Sequence, residues 1–331
     1  MAEQRILIVG GAGYIGSHAA KAVRLAGHTP VVFDDLSCGH EHAVRWGPLV
    51  RGDIRNAEAL RTAIREYRPF AVMQFAARIE VGEGQKDPAH FYDNNVAGTL
   101  NLVRVMLAEG VNNLVFSSTC AIYGDPERLP LTEDLPKRPV SVYGRTKLMC
   151  EQMLEDISGA HGLNFAALRY FNAAGADPEG EIGEEHSPET HLVPNALKAA
   201  AGLGGPMKLF GTDYPTPDGT CIRDFIHVTD LAEAHILAAD KIAARNTNLQ
   251  LNLGAGQGRT VRQVLRAVES ATGKAVPVEI AGRRAGDAVA LYADTTRVTR
   301  ELRWTPRLSD IDTIVSTAWA FHRKAWKLAS M

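Results

Sequence analysis

The chain has 331 residues, 45% of them hydrophobic, and 36 Lys and Arg against 38 Asp and Glu give a formal net charge of −2. That length suits two domains, or one large α/β unit with an added lobe, with ample material for a core. Balanced charge removes the attraction that dominates nonspecific nucleic-acid and anionic-membrane binding, and no apolar run reaches the roughly 20 residues of a membrane span, so neither partner is expected.

The first element is the strand-like Ile6-Leu-Ile-Val9. It begins too early to leave room for a signal peptide, and a cytoplasmic location is expected. It runs directly into Gly10-Gly-Ala-Gly13-Tyr-Ile-Gly16, which opens a helical pattern continuing to Ala26. Glycines there let backbone N–H groups approach a pyrophosphate at a helix N-terminus, although a tight turn with no ligand has the same signature. The next strand, Val31-Val-Phe33, ends at Asp34, 18 residues after Gly16. That is close to the spacing of a ribose-binding acid, whose charge would repel a 2′-phosphate and favour NAD over NADP. An exposed turn residue beside Asp35 is the alternative for Asp34. Asp53 in Gly52-Asp53-Ile54 reads equally well as an adenine contact or a helix cap.

Further β-rich runs, Ala71–Phe75, Asn113–Phe116 and Phe165–Leu168, alternate with longer helical patterns. Continuous apolar strands imply burial on both faces, so the expected fold is α/β, a doubly wound (Rossmann) parallel sheet with a second, smaller lobe. The second of these strands continues into Ser117-Ser118-Thr119 at the sheet's carboxyl edge, where such folds bind ligands. Thr119 can share a substrate oxygen with Tyr143, which stands one helical turn from Lys147. A phenol beside an ammonium and a positively charged nicotinamide is expected to act as a base near neutral pH. Alone, Y-x-x-x-K is a common surface pattern; the dinucleotide turn upstream gives it weight. After about Ala176 turn-rich segments take over, so residues 1–176 are expected to form the dinucleotide domain, also recruiting about 222–240, and 177–331 the substrate lobe. Cys38, Cys120, Cys150 and Cys221 read as reduced thiols, and neither they nor the histidines show metal-ligand spacing, so no metal is expected.

The segments Gly10–His18, Tyr92–Asn95, Phe116–Ser118, Ile122–Gly124, Tyr143–Glu151, Arg169–Asn172, Phe210–Thr216, Asp218–Thr220, Arg223–Val228, Asp230–Leu231, Asn252–Gly256 and Arg283–Asp287 fall in both halves. With them the chain resembles the extended short-chain dehydrogenase/reductase superfamily and, over nearly its whole length, the UDP-glucose (UDP-galactose) 4-epimerase family. The resemblance implies a homodimer and a bound NAD that takes hydride from the sugar C4 and returns it to the other face after the 4-keto sugar turns over. It implies cofactor contacts from Gly10, Gly13, Tyr14, Ile15, Gly16, Asp34, Asp53, Ile54, Phe75, Ala76, Asn94, Tyr143, Lys147 and Phe171. On the substrate side it implies Thr119, Asn172, His191, Leu192, Phe210, Arg223, Arg284, Asp287 and Leu291, the two arginines clamping the diphosphate.

Some positions depart from that family's pattern. Ile79 stands where a lysine is common, with Arg78 beside it; Val9 replaces a threonine, Thr119 a serine, and His191 an asparagine in some members. Leu291 replaces a bulky tyrosine and leaves room for N-acetylated sugars. A 4,6-dehydratase would need an Asp-Glu pair after Thr119, where Cys120-Ala121 stands. Epimerases of UDP-pentoses or UDP-uronic acids and a non-catalytic NAD-binding sensor are the competing readings; a sensor would be expected to have lost Tyr143 or Lys147.

Overall fold

The computed structural model describes residues 4–284 and 287–328; Ala285 and Gly286, part of one matching segment, lie outside them. The chain begins β1 (Arg5–Val9), α1 (Tyr14–Leu25), β2 (Thr29–Asp34), β3 (Leu49–Arg51), α2 (Ala57–Tyr67) and β4 (Ala71–Gln74). After β4 come α3 (Val81–Lys86), α4 (Pro88–Phe91), a π-helical turn over Tyr92–Ala97, and α5 (Gly98–Ala108). β5 (Asn113–Thr119), α6 (Val142–His161) and β6 (Asn164–Tyr170) complete this half. The six strands pair in parallel in the order β3-β2-β1-β4-β5-β6.

Side-chain alternation explains why the strands read as unbroken apolar runs. In β1, Ile6 and Ile8 enter one hydrophobic cluster while Leu7 and Val9 enter the cluster on the opposite face. Each such buried side chain contributes about 1.5–3 kcal/mol, and helices must cover both faces to collect it. α6 starts where the Ser141 hydroxyl accepts the Gly144 N–H at 3.0 Å and stops at Gly162, whose φ of 70° suits a glycine C-cap.

The second half contains β7 (Asn172–Ala174), α7 (Leu192–Ala201), β8 (Met207–Phe210), β9 (Ile222–His227), α8 (Val228–Arg245) and β10 (Leu249–Leu253). It ends with β11 (Gly258–Thr260), α9 (Val261–Thr272), β12 (Val278–Ala281), β13 (Ala290–Leu291), α10 (Thr296–Leu302) and α11 (Ile311–Ala325). β9 pairs with β11, β13 and β7, and β8 with β12, while α7, α9 and α11 share a separate hydrophobic cluster. α8 crosses back: Leu231, Ala234, Ala238 and Ile242 join Ile6, Ala19 and Val23 in the first core. β10 then adds to β6 as the seventh strand.

The segment returning to the large sheet therefore lies at 228–253 rather than 222–240. β9 and α8 are consecutive, but the strand's hydrogen bonds are taken by the lobe and only the helix carries an apolar face to the first core. The lobe's sheet also begins at β7, just ahead of Ala176.

Candidate active site

The sheet order reverses between β1 and β4, and a cleft of about 540 Å³ opens at the carboxyl ends of the strands there and extends to the lobe. One end is walled by the glycine turn. Gly10 has φ +81°, and a Cβ on it would meet the Ala76 nitrogen at 2.4 Å; a Cβ on Gly16 would meet the Gly10 carbonyl oxygen at 2.2 Å. Those two glycines are required by the protein itself. Gly13 is different: its φ of −78° is open to any residue, and a Cβ there would meet nothing closer than the Gly10 oxygen at 3.5 Å. It lines the cleft as the N-cap of α1, with no side-chain cap and no acidic residue in the first turn. A cradle at the positive end of a 12-residue helix, with room that a Cβ would take, fits a dinucleotide pyrophosphate.

Asp34 closes this end. Its carboxylate accepts the Ala12 N–H at 2.9 Å and the Leu36 N–H at 2.8 Å, which fixes it at the end of β2 facing the cleft. Burial raises its pKa, and the two backbone donors oppose that shift. Ile54, Phe75, Ala76, Asn94 and Phe171 also line the cleft. Asp53 does not: its carboxylate accepts the Arg55 backbone N–H at 2.8 Å and the Arg55 guanidinium at 2.5 Å, and the wall is made by Gly52 and Ile54 on either side. Nor does it cap α2, a task taken by Asn56.

Tyr143, Lys147 and Thr119 meet at the centre. Lys147 is 1% exposed; its Nζ donates to the Ser117 carbonyl at 2.7 Å, and burial brings its pKa down to about 8. Thr119 closes β5, accepts the Ala121 N–H at 3.1 Å and stands beside Tyr143, close enough to influence its ionisation. Burial, reinforced by Tyr170 and Cys120, pushes Tyr143 well above its usual value, and Thr119 only opposes this. The Lys147 ammonium spends one of its three N–H donors on the Ser117 carbonyl, and a positively charged bound molecule would add to the charge that offsets a phenolate.

At the other end stand Asn172, His191, Leu192, Phe210, Arg223, Arg284 and Asp287. Asn172 donates to the Asp224 carbonyl at 2.7 Å, Arg223 lies 3.6 Å from Asp287, and the Arg284 guanidinium stacks 3.8 Å from the Phe210 ring centroid. Leu291 falls outside the cleft wall and packs against the cluster of Ile122, Tyr123, Leu131 and Phe171. Arg78 and Ile79 line the opening, with the Arg78 guanidinium 3.9 Å from the Cys38 sulfur.

Two groupings escaped the sequence reading. Glu184, His186, Glu189 and His191 converge on the loop before α7, and the only hint in the sequence is two histidines and three glutamates within eight residues. The buried Arg169–Glu151 pair, 2.6 Å apart, also binds the Ser118 hydroxyl. In the sequence Arg169 stands out only as part of a matching segment.

Residues 6–254 match the model of the NAD dependent epimerase/dehydratase family, and the chain belongs to that family. It is 49% identical over 324 residues to a UDP-glucose 4-epimerase of Rhizobium meliloti (strain 1021), covering 98% of each chain. A UDP-glucose 4-epimerase from Brucella ovis in complex with NAD is 50% identical with a TM-score of 0.94, over 96% of this chain and 97% of that one. One from Bifidobacterium longum in complex with NAD+ and UDP is 34% identical with a TM-score of 0.92, over 97% and 98%.

Proposed function

We propose that this chain interconverts UDP-glucose and UDP-galactose by epimerisation at C4 with tightly held NAD. Residues 1–176 and the returning 228–253 hold the dinucleotide, and the rest of 177–331 holds the UDP-sugar. The observation that carries this is one continuous cleft, with the Gly13 cradle at one end, Tyr143, Lys147 and Thr119 in the middle, and Arg223, Arg284 and Asp287 at the other. A simple dehydrogenase needs the first two features; the third suits a nucleotide diphosphate.

When bound, NAD supplies the acceptor and donor of the C4 hydride and a positive ring that offsets burial of a phenolate. Tyr143 takes the proton from the sugar O4 and gives it back, Thr119 holds the same oxygen in register, and Lys147 stabilises the charged phenol. Arg223 and Arg284 grip the diphosphate, Asp287 the uridine hydroxyls and Phe210 the uracil, with Asn172 and His191 between them. The grip has to fall on the nucleotide, because a firmly fixed hexose could not present both faces.

Incubation with UDP-galactose and no added NAD, followed by separation of the products, tests this. UDP-glucose is expected, with a loss of roughly 10²–10⁴-fold in Tyr143→Phe. A wild-type protein that retains NAD yet converts no UDP-sugar would replace this reading with that of a cofactor sensor.

A homodimer through α5 and α6 belongs to the same proposal. Met149 is exposed and Leu100 and Met153 are half-buried, as a shared helical face requires, while Val103 lies inside the subunit core. Sedimentation equilibrium at micromolar concentration checks it. No helix of the described residues is long and apolar enough to cross a membrane, and a cytoplasmic enzyme is the corresponding proposal.

A further inference from the structure

The loop between β7 and α7 brings Glu184, His186, Glu189 and His191 together, with their donor atoms within 4.8 Å of one another. His191 Nδ1 lies 2.9 Å from Oε1 of both Glu184 and Glu189, and His186 Nδ1 lies 3.4 Å from Glu184 and 3.7 Å from Glu189. The two carboxylate side chains are 4% and 3% exposed, whereas that of His191 is 40% exposed and lines the cleft.

Two buried carboxylates at this spacing demand positive partners, since an unpaired buried charge costs several kcal/mol. Among the described residues the cations that face them are the two imidazoles, and Glu189 also accepts the Thr190 and His191 backbone N–H groups at 2.8 Å. A carboxylate only accepts, so Nδ1 of His191 carries a proton, and Nε2 is left as the ring's remaining polar atom. On a neutral ring that atom would present a lone pair, which a phosphate oxygen repels. On a charged ring it is an N–H donor.

We propose that Glu184 and Glu189, with His186 as the second counter-charge, are positioning residues that keep His191 an imidazolium whose Nε2–H donates to the substrate diphosphate, making nucleotide affinity insensitive to pH across the neutral range. This rests on the UDP-sugar reading above.

The electrostatics agree with the geometry. Burial alone would lower both imidazoles, but the paired carboxylates override it and push His186 up to about 9 and His191 up to about 10. The other groups nearby do not compete for the charge. Tyr14 on α1, edge-on to the His186 ring at 6.4 Å, is raised well above its usual value by burial and then by Glu184 and Glu189. His322 on α11 is brought down to about 4 by burial; it senses the same two glutamates together with Glu185 on the loop and Lys198 on α7. Arg223, Arg284 and Asp287 line the same cleft.

UDP binding to the NAD-loaded enzyme, measured calorimetrically from pH 6 to 9, tests the assignment. Each variant is read as a ratio to wild type, which cancels ionisation of the nucleotide. Glu189→Gln should match wild type at pH 6 and bind about tenfold or more weakly by pH 8.5, as His191 titrates near its ordinary value of about 6.5. The KM for UDP-galactose should follow while kcat changes little. His191→Asn, an uncharged donor, should weaken binding by a constant factor at every pH, with or without Glu189→Gln. Glu184→Gln provides the same pH test should Glu189→Gln fail to fold.

A ratio that stays flat for the glutamate variants overturns the proposal, as does a pH dependence that survives in the His191→Asn background. Loss of wild-type UDP affinity on EDTA treatment also overturns it, because a metal ion would then replace the protons among these donors. If wild type neither binds UDP nor converts UDP-galactose, the functional reading itself falls; if it does both and the ratio is flat, only this inference does.

Discussion

Gly13→Ala separates the needs of the fold from those of the cofactor. The backbone at Gly13, with φ −78° and ψ 176°, accepts alanine, and the added Cβ finds no protein atom within 3.4 Å. Alanine is a poorer N-cap than glycine by about 0.5–1 kcal/mol. It also removes about 0.4–1 kcal/mol of unfolded-chain entropy. The two nearly cancel, so the NAD-free variant should melt within about 2 °C of wild type. The methyl group fills the cradle where a pyrophosphate would lie, and overpacking of that kind costs about 1–3 kcal/mol, or roughly 5- to 150-fold in NAD affinity. Gly16→Ala is the contrasting control, because its Cβ would sit 2.2 Å from the Gly10 oxygen and 2.7 Å from the Gly11 Cα. It should lower the melting temperature with or without cofactor. Titration with NAD and thermal denaturation of cofactor-stripped protein read both quantities. If Gly13→Ala binds NAD as wild type does, no pyrophosphate rests against this turn and the cofactor assignment fails.

Lys147→Met should abolish turnover yet leave the NAD-free protein as stable or more so. Burial lowers the Lys147 pKa from 10.5 to about 8, a cost of about 3 kcal/mol near neutrality. Between those pH values the unfolded chain binds more protons than the folded one, so wild type should gain stability relative to the variant as pH rises from 8 to 10 in denaturant melts. Arg169→Met strands the buried Glu151 carboxylate and should cost about 3–5 kcal/mol. Glu151→Leu with Arg169→Met should recover most of that in thermal melts while kcat stays depressed; full recovery of kcat would refute a positioning role for the pair. UDP-N-acetylglucosamine should be turned over by wild type and less well by Leu291→Tyr, which crowds Phe171 from behind the cleft wall; no detectable N-acetyl turnover by wild type rejects that expectation.

The β-then-α rhythm and the central triad were legible because each rests on local pattern. Unbroken apolar runs report two-sided burial, and a separation of four residues puts Tyr143 and Lys147 on one helical face whatever surrounds them. What surrounds them was not legible. The direction of the Tyr143 shift is set first by burial, with Tyr170 and Cys120 adding to it, and none of these is visible in the local pattern. Asp53 has the spacing of a ligand contact, but an arginine two residues later captures it. The strand at 222–227 and the helix after it read as one unit, while pairing partners distant in sequence assign them to different layers. Glu184 and Glu189 look like surface acids until the loop folds two histidines onto them.

The Arg169–Glu151 pair shows how the lobe and the chemistry are kept in register. Glu151 follows Tyr143 and Lys147 by further helical turns, so all three share one face of α6. Its carboxylate accepts from the Ser118 hydroxyl at 2.5 Å, beside Thr119 on β5, and from Arg169 on β6. Arg169 also donates to the Tyr123 hydroxyl, which donates to Asn252 on β10, the strand by which the chain returns from the lobe. Asn252 in turn donates to the Leu131 carbonyl, and Leu131 bridges to Ala293, just beyond β13. A buried ion pair adds little net stability over an apolar replacement of equal shape. Its distinguishing property is direction, because a guanidinium fork meets a carboxylate in few geometries whereas apolar contacts tolerate sliding. A reaction in which hydride leaves and returns at one carbon needs that constraint on α6, since the phenol must meet the same oxygen after the sugar has turned over.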